Sequence, residues 1–247
     1  MSTHSVDPSP SSRRRFLKSV TVGTAAVLSG VTVAQGDEPI PAMTKEARGK
    51  LSPQQALNLL KDGNDRFVAG KMLNRNLLSQ AEVTAEGQFP FAGILACIDS
   101  RCAPELIFDQ GIGDIFSARI AGNFANTDFI GSFEFAAKLA GAKLIVVIGH
   151  TGCGAIVGAC DNAQLGNLTT TLSNLMPAVY SVTEVKGARN GSNPEFVRAV
   201  TEMNVRLNVK NLLNRSAVLH DLEENGTIKV VGAMHDLATG KVTFLDD

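Results

Sequence analysis

Lys143-Leu144-Ile145-Val146-Val147-Ile148-Gly149-His150-Thr151-Gly152-Cys153-Gly154 is the stretch whose reading decides the fold. Its apolar run, Leu144 to Ile148, is closed by glycine, the pattern of a strand covered on both faces. A second run, Phe91 to Ala96, ends in Cys97-Ile98-Asp99-Ser100-Arg101. Two such strands lying parallel put Cys97 and the His150/Cys153 pair at one carboxyl edge, where open α/β sheets bind ligands.

Outward from these runs the chain alternates helix and strand. Ser52, Pro53 and Gln55 make a capping box with proline at the first helical position. The helix they open, through Ala56, Leu57, Leu59 and Leu60, is expected to end at Gly63, and a short helical stretch at Arg66 to Val68 follows. Lys71 to Gly87 is polar and weakly patterned. Pro104 to Phe108 reads as a helical turn and Ile115 to Ile120 as a strand. Asp128 is the expected cap of a helix through Phe133, Phe135, Ala136 and Leu139 that Gly141 closes. Beyond the quoted stretch come a helix at Ala155 to Ala159 and a helical segment, Leu168 to Val182, broken at Pro177. A long helix from Asn193-Pro194, a shorter one capped by Ser216, and a hairpin of Ile228 to Met234 with Lys241 to Leu245 complete the chain. The expected class is α/β: a mostly parallel central β-sheet flanked by helices, with an antiparallel edge from the last hairpin.

The 247 residues are 44% hydrophobic and 19% charged, enough for one substantial core. A formal charge of −1 without a basic stripe gives nucleic acid nothing to bind. Near the start, Arg13-Arg14-Arg15-Phe16-Leu17-Lys18 precedes the uncharged stretch Ser19 to Gly36. Basic residues, a mild apolar segment and small residues at Thr32 and Ala34 are the order of a twin-arginine export signal. The stretch approaches membrane-spanning length, but its glycines, serines and threonines make a poor bilayer helix. The expected organisation is a signal peptide at 1–34, a polar spacer at 35–49 and one domain at 50–247, exported to the periplasm or another extracytoplasmic space, with no stable membrane span in the mature chain. Residues 1–34 carry Arg13, Arg14, Arg15, Lys18 and Asp7, so the remainder has a formal charge of −4.

Cys97, His150 and Cys153 are two thiols and an imidazole, a set that zinc takes readily. Three protein ligands leave one tetrahedral position for water, the arrangement of a catalytic zinc site. Gly152 and Gly154 permit a tight backbone path around the ion. Asp99 beside Arg101 is a carboxylate kept ionised and oriented as an acceptor.

These residues resemble a family, the beta-class carbonic anhydrases. The matching motifs are Cys97-Ile98-Asp99-Ser100-Arg101, Phe108-Asp109-Gln110-Gly111, Ala121-Gly122-Asn123, Gly149 to Gly154, and Val230-Val231-Gly232-Ala233. The resemblance covers about residues 50 to 247 and implies the beta-carbonic-anhydrase fold. It implies reversible hydration of carbon dioxide to bicarbonate and a proton through a zinc-bound hydroxide, with one Zn2+ on Cys97, His150 and Cys153. Asp99 and Arg101 would be the orienting catalytic dyad, and Gln88, Phe116, Phe135 and Gly154 would contact the substrate. Gln88 and the absence of tryptophan fit the plant-like branch, with an open site. The resemblance further implies a homodimer or a multiple of dimers, with the active site near the subunit interface.

Other readings compete with this one. The same metal set suits a hydrolase of carbonyl sulfide or carbon disulfide, and a zinc-binding module without activity would keep the fold. Gly152-Cys153-Gly154 with Gly158 is a loose dinucleotide fingerprint, but Leu168 to Ser173 offers no acidic residue for a ribose. Cys102 and Cys160 either form a disulfide or remain buried thiols. Asp109 and Glu134 read as structural residues, Ser100 as a turn residue. His220 reads as a helix-surface residue and His235 as a satisfied or surface histidine, while His4 belongs to the signal.

Overall fold

The structure is a computed structural model that describes residues 39–246. The export segment expected at 1–34 lies outside the described residues. Among the described residues one sheet holds β1 (Ala92–Ala96), β2 (Ile115–Arg119), β3 (Leu144–His150), β4 (Lys229–His235) and β5 (Val242–Phe244). Their order across the sheet is β2-β1-β3-β4-β5. Every pairing is parallel except that of β4 with β5, as the two-face burial and the last hairpin predict.

Ten α-helices accompany the sheet among the described residues: α1 (Lys45–Gly49), α2 (Pro53–Val68), α3 (Leu77–Thr84), α4 (Pro104–Ile107), α5 (Thr127–Glu134), α6 (Gly154–Cys160), α7 (Gly166–Ser173), α8 (Met176–Ser181), α9 (Pro194–Asn214) and α10 (Ala217–Glu224). Alternate residues of a strand go to opposite faces. Ala92, Ile94 and Ala96 of β1 join Leu144, Val146 and Ile148 of β3 against Ala56, Leu57 and Leu60 of α2. Leu95, Ile145 and Val147 pack on the other face, against Phe133 of α5, Val205 and Leu212 of α9 and Leu219 of α10. A third cluster gathers Cys97 and Cys153 with Ile156, Leu172, Leu175, Phe196 and Val200. Each large side chain fully buried in this way contributes about 1.5–3 kcal/mol.

Several boundaries differ from the expectation, each for a physical reason. α2 runs straight through Gly63 to Val68. A Cβ at Gly63 would lie 1.9 Å from the carbonyl oxygen of Phe108, so the glycine serves a close approach of helix to backbone, not a stop. The expected spacer contains α1, a short helix capped by Thr44. α3, within the weakly patterned stretch, buries only Gln80, which is why no apolar period marks it. Asn126, not Asp128, caps α5, accepting from the amide of Phe129. α5 then passes into a π-helical turn at Phe135–Leu139, and Gly141 follows with φ +79°. The break in the segment after α6 comes before Pro177, which sits in the first turn of α8, where its missing N–H costs nothing.

Candidate metal centre

The register carries β1 and β3 side by side, with Leu95 opposite Val147. Cys97 therefore leaves β1 next to the end of β3, where His150 is the last residue. Gly152 turns the chain with φ +64°, and Cys153 caps α6. Gly154 needs no such freedom, and a Cβ there would meet nothing within 4 Å. The loop is tied to β4: the Thr151 amide donates to the carbonyl of His235 at 3.0 Å, and the Leu237 amide to Thr151 Oγ1 at 3.0 Å.

These turns bring the three ligand atoms of Cys97, His150 and Cys153 within 4.8 Å of one another, all buried. The two sulfurs are 3.9 Å apart. Two thiolates at ~2.3 Å from one tetrahedral zinc would be ~3.8 Å apart. His150 Nδ1 lies 3.0 Å from the Thr151 carbonyl, so an N–H there donates to the backbone and Nε2 is the nitrogen left to a cation once its proton is displaced. That Nε2 is buried without a hydrogen-bond partner. A buried orphan imidazole nitrogen beside two thiols is what a soft cation requires, and the donor set fits zinc.

The electrostatics agree. The hydrogen bond with Cys153 draws the Cys97 thiol down to about 4, with help from His150 and the Gly122 amide against the opposing effect of burial. The same bond and burial push Cys153 up. Burial pulls the His150 imidazole down, but the sulfurs of Cys102 and Cys97 outweigh it and hold it up at about 10. One thiolate thus forms readily, while Cys153 and His150 retain protons that a cation would displace.

Just beyond Cys97, Asp99 and Arg101 meet as a fork. Arg101 Nε donates to Asp99 Oδ1 at 2.9 Å and Nη2 to Oδ2 at 2.7 Å, while the Arg101 amide adds 3.0 Å to Oδ1. The guanidinium holds the Asp99 carboxyl well below the usual carboxylate range. Arg119, at the end of β2, clamps the same loop: Nε donates to the Cys97 carbonyl and Nη2 to that of Ile98, both at 3.0 Å. As the last residue of a strand, followed by Ile120, it gave no sequence signal for this role.

Of the expected substrate contacts, Gln88, Phe116 and Phe135 do not join the centre within one chain. Gln88 precedes β1 and Cys97 follows it, so the five-residue strand, about 17 Å long, separates them. Phe116 is level with Gly93 in the register, about 13 Å along the strand from Cys97. Phe135 is half-exposed and packs edge-on to Phe116, with ring centroids 6.2 Å apart.

All four cysteines are free and buried. Cys102 Sγ is 3.7 Å from His235 Nδ1. His235 is neither satisfied nor on the surface: it is 3% exposed, and its Nε2 has no partner. His220 is exposed on α10, 3.8 Å from Glu224. Asp109 is fully buried between Arg66 and Arg75, and Glu134 accepts from Ser216, so both are structural. Among the described residues no helix is long and apolar enough to cross a membrane.

Comparison with known proteins bears on this geometry. Carbonic anhydrase 2 of Mycobacterium tuberculosis is 33% identical over 201 residues, which cover 79% of this chain and 94% of that protein. The solved beta-carbonic anhydrase CafA of Aspergillus fumigatus is 28% identical with a TM-score of 0.58, covering 78% of this chain and 90% of its own. A structure from the two tetrameric beta-carbonic anhydrases of Sordaria macrospora shares the fold, with a TM-score of 0.58 at 24% identity, over 67% of this chain and 85% of its own. The carbonic anhydrase family model matches residues 92–242. That span runs from the first residue of β1 to the first of β5 and takes in all three ligands, and the chain accordingly belongs to the beta class of the carbonic anhydrase family.

Proposed function

We propose that Cys97, His150 and Cys153 hold one zinc ion and that the chain uses it to hydrate carbon dioxide reversibly to bicarbonate and a proton. Zinc bound there would supply Lewis-acid activation of water, lowering its pKa towards ~7. The observation that carries the reading is the buried, partnerless Nε2 of His150 beside two sulfurs 3.9 Å apart. Asp99 is the acceptor that orients the attacking water. Arg101 keeps it ionised and engages both oxygens, and because Oδ1 also accepts from the Arg101 amide, Oδ2 is the oxygen that retains a lone pair for the water. The buried wall of Ile156, Leu175 and Phe196 keeps bulk water from the sulfur side.

Gln88, Phe116 and Phe135 of one copy serve the centre of a second copy, since Gln88 and Phe116 lie towards the opposite end of the strands from Cys97 and Phe135 packs on Phe116. A dimer or a multiple of dimers is the expected assembly. Mixing Gln88→Ala chains with Cys153→Ser chains, each nearly inactive, should restore part of the activity if subunits share sites, and should restore none if they do not. The segment 1–34 is proposed to direct twin-arginine export, which replacing Arg13, Arg14 and Arg15 with lysine should abolish in a cell-fractionation assay.

The deciding experiment is stopped-flow carbon dioxide hydration by the purified chain, with zinc measured on the same sample. About one zinc per chain and fast hydration, both lost in Cys153→Ser, are expected. Bound zinc without hydration from acidic to alkaline pH would overturn the proposal and direct the assay to carbonyl sulfide and carbon disulfide.

A further inference from the structure

α9 faces the core with apolar side chains, yet carries Asn204 and Asn208 one turn apart, 1% and 4% exposed. A buried amide side chain is costly unless its groups are satisfied, and these two are satisfied in sequence. The Ala125 amide donates to Asn208 Oδ1 at 2.7 Å. Asn208 Nδ2 donates to Asn204 Oδ1 at 3.0 Å and to the Asn204 carbonyl at 2.8 Å. Asn204 Nδ2 donates to the Gly122 carbonyl at 2.8 Å. The chain ends on the metal ligand, where the Gly122 amide donates to Cys97 Sγ at 3.4 Å. Gly122, whose Cα joins the two peptides concerned, stands at φ +82°, and a Cβ there would lie 2.7 Å from Leu175, so the turn is built tightly around that residue.

We propose that Asn204, braced by Asn208, is a positioning residue that aims the Gly122 N–H at the Cys97 sulfur and so sets how strongly that thiolate donates to the metal. The asparagine pair grips both ends of the 122–125 turn, through the Gly122 carbonyl and the Ala125 amide. A hydrogen bond to sulfur withdraws electron density from the donor lone pair and leaves the bound ion a stronger Lewis acid. The inference rests on the metal-site reading above.

The test uses the full chain loaded with cobalt(II) in place of zinc, reading the sulfur-to-cobalt charge-transfer band and the metal affinity by chelator competition. Asn204→Leu, of similar size without an amide, is expected to move the band to longer wavelength, weaken metal binding roughly 10–100-fold, and lower kcat with KM little changed. Asn208→Ala, a milder change that leaves Asn204 in place, is expected to move the band in the same direction and carries the test if Asn204→Leu does not fold. The control is Asn64→Leu: Asn64 is also buried and hydrogen-bonded, to the Ile107 and Gly240 carbonyls and the Val242 amide, away from the ligands. It should lower the melting temperature without moving the band or the affinity. Asparagine variants of α9 that behave like Asn64→Leu would overturn the inference. A wild-type chain that takes up neither cobalt nor zinc would overturn the metal reading itself.

Discussion

Both carboxylate oxygens of Asp99 are engaged by the guanidinium of Arg101, at 2.9 and 2.7 Å, although only Ser100 separates the two residues. An interaction this local needs no partner from elsewhere in the fold and is in place as soon as the loop forms. Asp99→Asn keeps the shape and removes the charge. It is expected to lower carbon dioxide hydration roughly 10²- to 10⁴-fold with zinc content unchanged. Stopped-flow rates near wild type would remove Asp99 from the mechanism.

Cys97 and Cys153 stand 3.9 Å apart, within hydrogen-bonding reach of each other. Stripped of metal and treated with diamide, the pair should lose two protons and two electrons to the oxidant and close to a disulfide at ~2.05 Å. Mass mapping should find the Cys97–Cys153 bridge in metal-free protein only, and dithiothreitol should restore metal uptake. Equal oxidation with and without metal would contradict the assignment of these sulfurs as ligands.

Asp109 is fully buried and flanked by Arg66 and Arg75, the latter only 9% exposed at its side chain. Asp109→Ala leaves a buried guanidinium without its counter-charge. A loss of about 3–5 kcal/mol in stability is expected, read by urea titration. Zinc affinity of the protein that remains folded should be unchanged, because the pair lies outside the metal centre.

Burial pushes the Cys160 thiol up to about 11, against roughly 8.5 in an unfolded chain. Between those values the folded state keeps a proton that the unfolded state has released. The contribution of Cys160 is therefore complete below about pH 8.5 and lost as pH rises towards 11. The melting temperature of Cys160→Ala should fall less steeply over that range than that of the wild type. Parallel slopes would show that Cys160 does not titrate there.

The sheet and the ligand triad were legible because their signals are local. Leu144 to Ile148 is apolar on both faces, and His150 and Cys153 sit within one loop. What failed to show was anything set by contact with a distant segment. Gly63 looks like a helix stop until the Phe108 carbonyl is seen against it. Asn204 and Asn208 look like a helix's solvent face, and only the fold buries them. Gln88, Phe116 and Phe135 carry the residue types of a substrate pocket, but nothing in a sequence says which end of β1 each occupies. The weak pattern at α3 has the same origin, since a helix that buries one glutamine leaves no apolar period.

The three ligands come from two strand ends whose cysteines are separated by the whole of α4, β2, α5, the π-helical turn and β3. Loop closure over such a distance is entropically unfavourable until β1 and β3 pair. Metal capture through both sulfurs is therefore expected to be a late step in folding, and the appearance of the cobalt charge-transfer band during refolding would time the assembly of the central sheet. A metal taken up there would serve as a built-in clock for the completion of the fold.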